Sequence, residues 1–264
     1  MSTLLLGIIV VSVSTVLAVA GMLIVRKALG LDKLKSFHEV SGDMLSVIGT
    51  LYAVLLGFVV VDAMTHMQEM RLTVEQEANA AANIYLAADG LPSASCERIQ
   101  GQCAEYVDLV TNQEWTAMTH GEGIDEAHVV TWKLWHEATH IEAESEGMGT
   151  IKDRILEEIS NLSDNRRTRL VMARHGVAPT MWFFLIVGGV ITVIFTYFFG
   201  LECIKTQAIM TALIALTLSL NVFLVYLFGY PFSGDVAVFP DAFELDKKIF
   251  SEFHTVIKDG NGSQ

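Results

Sequence analysis

The chain separates long apolar runs from strongly polar stretches instead of mixing the two. Four runs contain no Asp, Glu, Lys or Arg, at residues 1–25, 44–61, 176–201 and 206–234. A bilayer core needs about 20 consecutive apolar helical residues, so each run is long enough, or nearly so, to span it. The pattern predicts an all-α, polytopic membrane protein with four transmembrane helices.

The polar stretch between the second and third runs has the periodicity of helices. Apolar residues recur at steps of three and four from Met64 to Tyr85, so the second span should continue straight out of the membrane. Further helices are expected from about Ser93 to Met118, from 124 to 146, and from near Thr150. These elements predict a helical extramembrane domain between spans 2 and 3.

The expected organisation has four parts. Residues 1–62 form transmembrane helices 1 and 2, and residues 63–175 form the extramembrane domain. Residues 176–234 form transmembrane helices 3 and 4, and residues 235–264 form a C-terminal amphipathic helix and tail. The first run lacks a basic flank on its N-terminal side and continues to Arg26-Lys27, so we expect a retained helix rather than a cleaved signal.

Charge is concentrated in the extramembrane domain. The 264 residues are 52% hydrophobic and 18% charged, with a formal net charge of −13. Residues 63–179 hold nine Lys and Arg against 19 Asp and Glu. The four apolar runs, and not this charge, exclude an ordinary soluble enzyme and a disordered chain. An acidic chain without a basic cluster also argues against nucleic-acid binding.

The sidedness signals conflict. Arg26, Lys27, Lys33 and Lys35 lie in the loop after the first run, which favours a cytoplasmic loop and a domain on the other side. Arginines at positions 166–174, just before the third run, favour the opposite orientation.

Polar residues on the second span and its extension are candidates for the lining of a pore. Ser46 and Thr50 lie inside the apolar run, and Asp62, His66 and Glu69 follow at steps of four and three. In a symmetric oligomer each position becomes a ring, and carboxylate rings attract cations. The alternative is that Asp62 marks the membrane boundary and Glu69 is solvated.

Residues 136–140 read H-E-A-T-H, which matches the H-E-x-x-H zinc motif. On a helix, His136 and His140 would lie one turn apart, and Glu137 could act as the base on a zinc-bound water. No third ligand stands in its usual setting, and acidic residues follow the motif. A solvated helix face is the competing interpretation.

Acidic residues also follow the turn Pro231-Phe232-Ser233-Gly234. Asp235 comes directly after the turn and offers an oxygen ligand for calcium, although the spacing of the acids is not that of a dedicated calcium loop. A surface turn is the alternative.

Several segments resemble the bestrophin-like family of bacterial membrane proteins, which share two spans, a helical insert and two further spans. The matching segments are residues 49–58, Glu77-Ala78, Glu114-Trp115, residues 166–170 and residues 231–234. The resemblance to bestrophins implies an oligomeric ion channel lined by the second span. It also implies calcium-responsive acids after the Pro-Phe turn and a cytoplasmic helical domain. The cytoplasmic placement of the domain contradicts the orientation that the basic residues after the first run favour.

The sequence therefore predicts a homo-oligomeric, multi-pass ion channel in a bacterial inner membrane, with the bilayer and inorganic ions as its other partners. Cations are the expected ions because the insert is acidic. Calcium is a candidate bound ion and zinc a weaker one. The alternatives are a membrane zinc metallopeptidase that uses the H-E-A-T-H motif and a non-conducting membrane sensor or scaffold.

Overall fold

Helices account for nearly all of the chain. The computed structural model describes residues 2–174 and 176–261, and no strand occurs within them. A 3₁₀ turn occupies Ala88–Gly90 and a π-helix occupies Val110–Glu114. The α-helices are α1 (Thr3–Leu29), α2 (Leu31–Ala87), α3 (Ser93–Leu109), α4 (Trp115–Met118), α5 (Asp125–Thr139), α6 (Glu146–Arg174), α7 (Pro179–Tyr197), α8 (Ile204–Gly229) and α9 (Asp241–Asn261). The all-α prediction is confirmed.

Four of the described helices are long and apolar enough to cross a membrane. They cover Thr3–Leu29, Glu39–Gly90, Pro179–Tyr197 and Ile204–Gly229. Large apolar side chains on them remain exposed, which is expected where the surrounding medium is lipid. The four predicted runs therefore correspond to α1, the first part of α2, α7 and α8.

The chain divides into two compact units. Met1–Met67 and Val177–Ala237 form one, here called the membrane unit. Gln68–Gly176 and Val238–Gln264 form the other, here called the helical unit. The C-terminal helix α9 thus belongs with the insert rather than standing as a separate segment.

In the membrane unit, α1 packs closely along α8. A Cβ at Gly7 would collide with the ring of Phe223, so glycine allows the two helices to approach. Arg26 at the end of α1 donates hydrogen bonds to the Leu201 carbonyl oxygen at 2.7 Å and to Gln207 Oε1 at 2.5 Å. These bonds hold the end of α1 against the start of α8.

In the helical unit, an apolar stripe on the extension of α2 supplies part of the core. Met70, Val74 and Ala81 on this stripe are buried. α9 contributes Phe243 and Phe250, and the Phe250 ring stacks on Tyr85 with centroids 4.0 Å apart. This contact explains why α9 joins the helical unit.

Two helix boundaries differ from the sequence expectation. The helix expected at 124–146 ends at Thr139, and the helix expected to start near Thr150 begins at Glu146. Ser145 Oγ accepts a hydrogen bond from the Met148 N–H at 3.2 Å, so Ser145 caps α6 instead of Thr150.

Candidate functional site

α2 carries exposed hydroxyl groups in its membrane segment. Ser46 and Thr50 are both exposed and lie one turn apart. Thr50 Oγ1 donates a hydrogen bond to the Ser46 carbonyl oxygen at 2.7 Å. The hydroxyl proton is therefore used inside the helix, and the oxygen lone pairs remain available to water or to a cation.

Another face of α2 is buried in the core of the membrane unit. Tyr52 Oη donates a hydrogen bond to the Leu185 carbonyl oxygen at 2.8 Å. A Cβ at Gly188 would lie 2.5 Å from Tyr52 Cδ2, so glycine makes room for the ring. The core cluster consists of Tyr52, Leu56, Val59, Ala63, Leu185 and Val225. α2 therefore has a packed side and a broad exposed side.

The candidate pore residues do not share one face of α2. Asp62 is exposed, and His66 is half-buried with an Nε2 that has no hydrogen-bond partner among residues 2–174 and 176–261. Asp62 follows Ser46 by sixteen residues, which places it about 160° away around a regular helix. It is about 120° from Thr50. The hydroxyl pair and the Asp62–His66 pair thus lie on different sides of the helix.

Glu69 lies in the helical unit. Its side chain is exposed, and its carbonyl oxygen accepts a hydrogen bond from Thr73 Oγ1 at 2.9 Å. A charged group in this position is solvated and free to act through its field.

The H-E-A-T-H segment lies at the end of α5. α5 ends at Thr139, and His140 is its non-helical C-cap. His136 and His140 are exposed with ring centroids 4.2 Å apart, and His140 Nδ1 lies 2.7 Å from the His136 carbonyl oxygen. Glu137 accepts a hydrogen bond from Arg98 Nε at 2.8 Å. Among the described residues, no group of three His, Cys, Asp or Glu side chains could hold a metal ion.

Asp235 caps the start of α1. Its Oδ2 accepts hydrogen bonds from Ser2 Oγ at 2.6 Å and from the Leu4 N–H at 3.3 Å, and its own N–H donates to Thr3 Oγ1 at 3.2 Å. The bond from Ser2 and then the bond from Leu4 lower the pKa of Asp235 below its ordinary value. The carboxylate that was a calcium candidate thus satisfies a backbone group of a helix terminus.

A buried ion-pair cluster occupies the core of the helical unit. Arg169 and Glu77 are both fully buried. Arg169 Nε donates to Glu77 Oε2 at 2.6 Å, and Arg169 Nη2 donates to Glu77 Oε1 at 2.7 Å and to Glu114 Oε1 at 2.7 Å. The bidentate geometry is the strongest form of the arginine–carboxylate pair.

Arg166 and Tyr106 complete the cluster. Arg166 donates to both carboxylate oxygens of Glu114, and the Ile124 N–H donates to Glu114 Oε2 at 3.2 Å. Tyr106 Oη donates to Glu77 Oε1 at 2.6 Å. The cluster joins the extension of α2, α3, the π-helix and α6.

The cluster is electrostatically self-compensated. Burial acts to raise the pKa of Glu114, but Arg169 and Arg166 outweigh it and hold the pKa below its ordinary value. Burial acts to lower the pKa of Arg169, but Glu77 and Glu114 raise it. Burial raises the pKa of Tyr106, and Glu77 adds to the effect. Glu114, Arg169 and Tyr106 therefore keep their ordinary protonation at neutral pH, which suits a structural role rather than proton transfer.

Comparison with known proteins places the chain in a family. The model of the Bestrophin-like domain family matches residues 12–243. The chain belongs to the bestrophin-like family. No curated protein matches it. Membership supports a channel-type membrane protein rather than an enzyme.

Solved structures resemble the bestrophin-like chain in fold. Two variants of a bacterial bestrophin homologue from Klebsiella pneumoniae each give a TM-score of 0.67, at 14% and 13% identity. They cover 91% of this chain, and the matches span 98% and 96% of their own chains. The crystal structure of a further membrane-protein variant gives a TM-score of 0.65 at 12% identity, over 91% of this chain and 96% of its own.

The sequence contained a signal for the buried cluster of the bestrophin-like chain. The inward stripe of α6 runs through Ile155, Ile159 and Leu162 and then reaches Arg166 and Arg169 at the same steps of four and three. A charged residue that continues an apolar stripe must be buried with a partner. Sequence reasoning identified Glu77, Glu114 and residues 166–170 as family matches but did not bring them together.

Proposed function

We propose that the chain is a subunit of a homo-oligomeric ion channel in a bacterial inner membrane, lined by α2 and selective for cations. The observation that carries the proposal is the exposed Ser46–Thr50 pair inside a membrane segment. Polar side chains exposed in an otherwise apolar span are favourable where they meet water or ions rather than lipid. Family membership supports the channel-type function.

The acidic residues after the hydroxyl pair supply the cation preference. Asp62 and Glu69 are exposed, so each forms a carboxylate ring around the axis of an oligomer. Such rings raise the local concentration of cations and lower that of anions. The Ser46–Thr50 pair and the Asp62–His66 pair lie on different sides of α2. One helix cannot turn both sides towards the same conduit, so both pairs line it only if α2 of a neighbouring subunit also contributes to the wall.

Potassium flux in liposomes tests the lining. Thr50→Val removes the hydroxyl and keeps the shape, and we expect it to change the flux several-fold. Thr217→Val is the matched control, because Thr217 is an exposed hydroxyl in α8 that donates to the Leu213 carbonyl oxygen in the same way. Equal flux in wild type and Thr50→Val would remove Thr50 from the pore.

The permeability ratio of potassium to chloride tests the acidic rings. Asp62→Asn and Glu69→Gln should each lower it, whereas Glu75→Gln neutralises another exposed acid on α2 and should leave it closer to the wild-type ratio. Ratios that are unchanged in Asp62→Asn and Glu69→Gln would contradict the assignment of these rings. Absence of any flux from reconstituted wild type would favour the non-conducting sensor or scaffold.

A further inference from the structure

A groove of about 570 Å³ in the helical unit lies between α5 and α6. Its volume is within the range of small-ligand sites. The lining combines arginines with aromatic and aliphatic side chains. Three of the nine Lys and Arg residues between positions 63 and 179 line it, in a domain that otherwise carries a large excess of acid. They are Arg166, Arg167 and Arg174, and the single lining carboxylate is Asp164.

The α6 wall presents cations on both sides of an apolar segment. Arg167, Val171 and Arg174 follow one another at steps of four and three, so they share one face of the helix. Arg167 is exposed and has no hydrogen-bond or ion-pair partner within the described part of the chain. Val171 is half-exposed. The wall therefore offers an uncommitted guanidinium beside apolar surface.

The α5 wall supplies aromatic surface. Trp132 is 59% exposed, although tryptophan usually buries most of its ring, and its centroid lies 4.4 Å from that of His128. His128 Nδ1 lies 3.3 Å from Arg166 Nη1. Because arginine can only donate, His128 Nδ1 is the acceptor of this contact. Arg166 is buried and holds Glu114, so it forms the fixed floor of the groove.

We propose that this groove binds the phosphate group of an anionic amphiphile. Arg167 supplies a whole guanidinium group, and Arg174, whose Nε donates to the Gly121 carbonyl oxygen at 3.0 Å, supplies its Nη donors. Trp132 and Val171 contact the apolar part of the ligand. Arg174 precedes the start of the third span at Pro179 by only five residues. A membrane phospholipid and a soluble phosphate ester share this chemistry.

Calorimetric titration of the full-length protein in detergent tests the site. The probes are short-chain phosphatidic acid, short-chain phosphatidylcholine as its zwitterionic counterpart, and sodium phosphate alone. We expect phosphatidic acid to bind saturably and more tightly than both others. Arg167→Gln should weaken its binding by about tenfold or more, since a hydrogen bond to a charged group is lost.

Arg71→Gln is the matched control, because it removes one exposed guanidinium from the same unit outside the groove. It should change the affinity by less than about twofold. Trp132→Leu should weaken the binding of phosphatidic acid more than the binding of sodium phosphate. If Arg167→Gln and Arg71→Gln lower the affinity equally, the binding results from general surface charge and the proposed site is wrong.

Three other outcomes also overturn the proposal. Absence of saturable binding by wild type removes the site. Equal affinities for phosphatidic acid and sodium phosphate would leave a phosphate site without a contact to the apolar part. A changed oligomer mass in Arg167→Gln would show that the groove is a contact between copies of the chain. None of these readouts depends on ion conduction.

Discussion

At the scale of single residues, the helical unit depends on charges that it has removed from water. Arg169 is fully buried, as are its partners Glu77 and Glu114. Taking such groups out of water is costly, and the geometry here recovers that cost through bidentate pairing and several further hydrogen bonds. The same arrangement makes the removal of one partner expensive, because it leaves an uncompensated charge.

Glu77→Gln should therefore destabilise the protein strongly. Breaking a buried pair costs about 3–5 kcal/mol, which corresponds to a fall in melting temperature of roughly 6–20 °C for a chain of this size. Thermal unfolding in detergent measures it. Glu75→Gln, two residues away and exposed, should change the melting temperature by no more than about 2 °C. Similar values for the two variants would contradict the role of the cluster.

Asp246 in α9 predicts a pH dependence. The residue is buried, its Oδ2 has no hydrogen-bond partner among the described residues, and burial raises its pKa to about 7. Because the folded pKa exceeds the unfolded value, the folded state holds more protons in that range. Stability then falls as pH rises from the unfolded pKa towards 7, by at most about 1.4 kcal/mol per pH unit.

Asp246→Asn should remove this penalty. We expect its melting temperature to exceed that of wild type by an increasing margin from pH 5 to pH 7, and by a constant margin above pH 7. Glu252→Gln neutralises an exposed acid on the same helix and should show no such trend. A margin that stays constant over the whole range would argue against an ionisable, buried Asp246.

At the scale of helices, end effects decide several assignments. The H-E-A-T-H pattern assumes a helix that continues past its second histidine, but α5 ends at Thr139. The carboxylate of Asp235 stabilises the start of α1, and the α6 start is set by Ser145 rather than Thr150. The start of a helix depends on which nearby group accepts hydrogen bonds from its free N–H donors, and that group can lie far away in the sequence.

Asp235→Ala should weaken the start of α1. Loss of a capping carboxylate costs about 0.5–2 kcal/mol, and thermal unfolding would register a fall of a few degrees. Ser233→Ala in the same turn is the control, since Ser233 is exposed. A chelator should leave the wild-type melting temperature unchanged if capping is the role of Asp235. A calcium-dependent rise that disappears in Asp235→Ala would instead support the calcium prediction.

At the scale of the whole molecule, the charge distribution predicts how selectivity responds to salt. The insert carries most of the net charge of −13. Its field extends about 10 Å at 0.1 M salt and about 3 Å at 1 M. If the insert attracts cations into the proposed channel, the potassium-to-chloride permeability ratio should fall as symmetric salt rises across that range. Reversal potentials with a small superimposed gradient measure the ratio, and a ratio independent of salt would exclude the insert as its source.

The sequence by itself determined the membrane spans, the helical insert and the family. An uncharged apolar run of bilayer length can form few structures other than a transmembrane helix, so local composition was sufficient to predict the four spans. The periodicity of the insert likewise fixed its helical class, because the inward stripe is a local property.

Only the tertiary structure decided which charged residues meet. Glu77 and Arg169 are 92 residues apart in sequence and share two hydrogen bonds, whereas the neighbouring Glu75 is exposed to solvent. It also opened the arginine groove between α5 and α6 and placed α9 on the helical unit. Each of these contacts depends on how the helices rotate and pack against one another. The pattern along a single helix shows which face is apolar, but it does not show which other helix packs on that face.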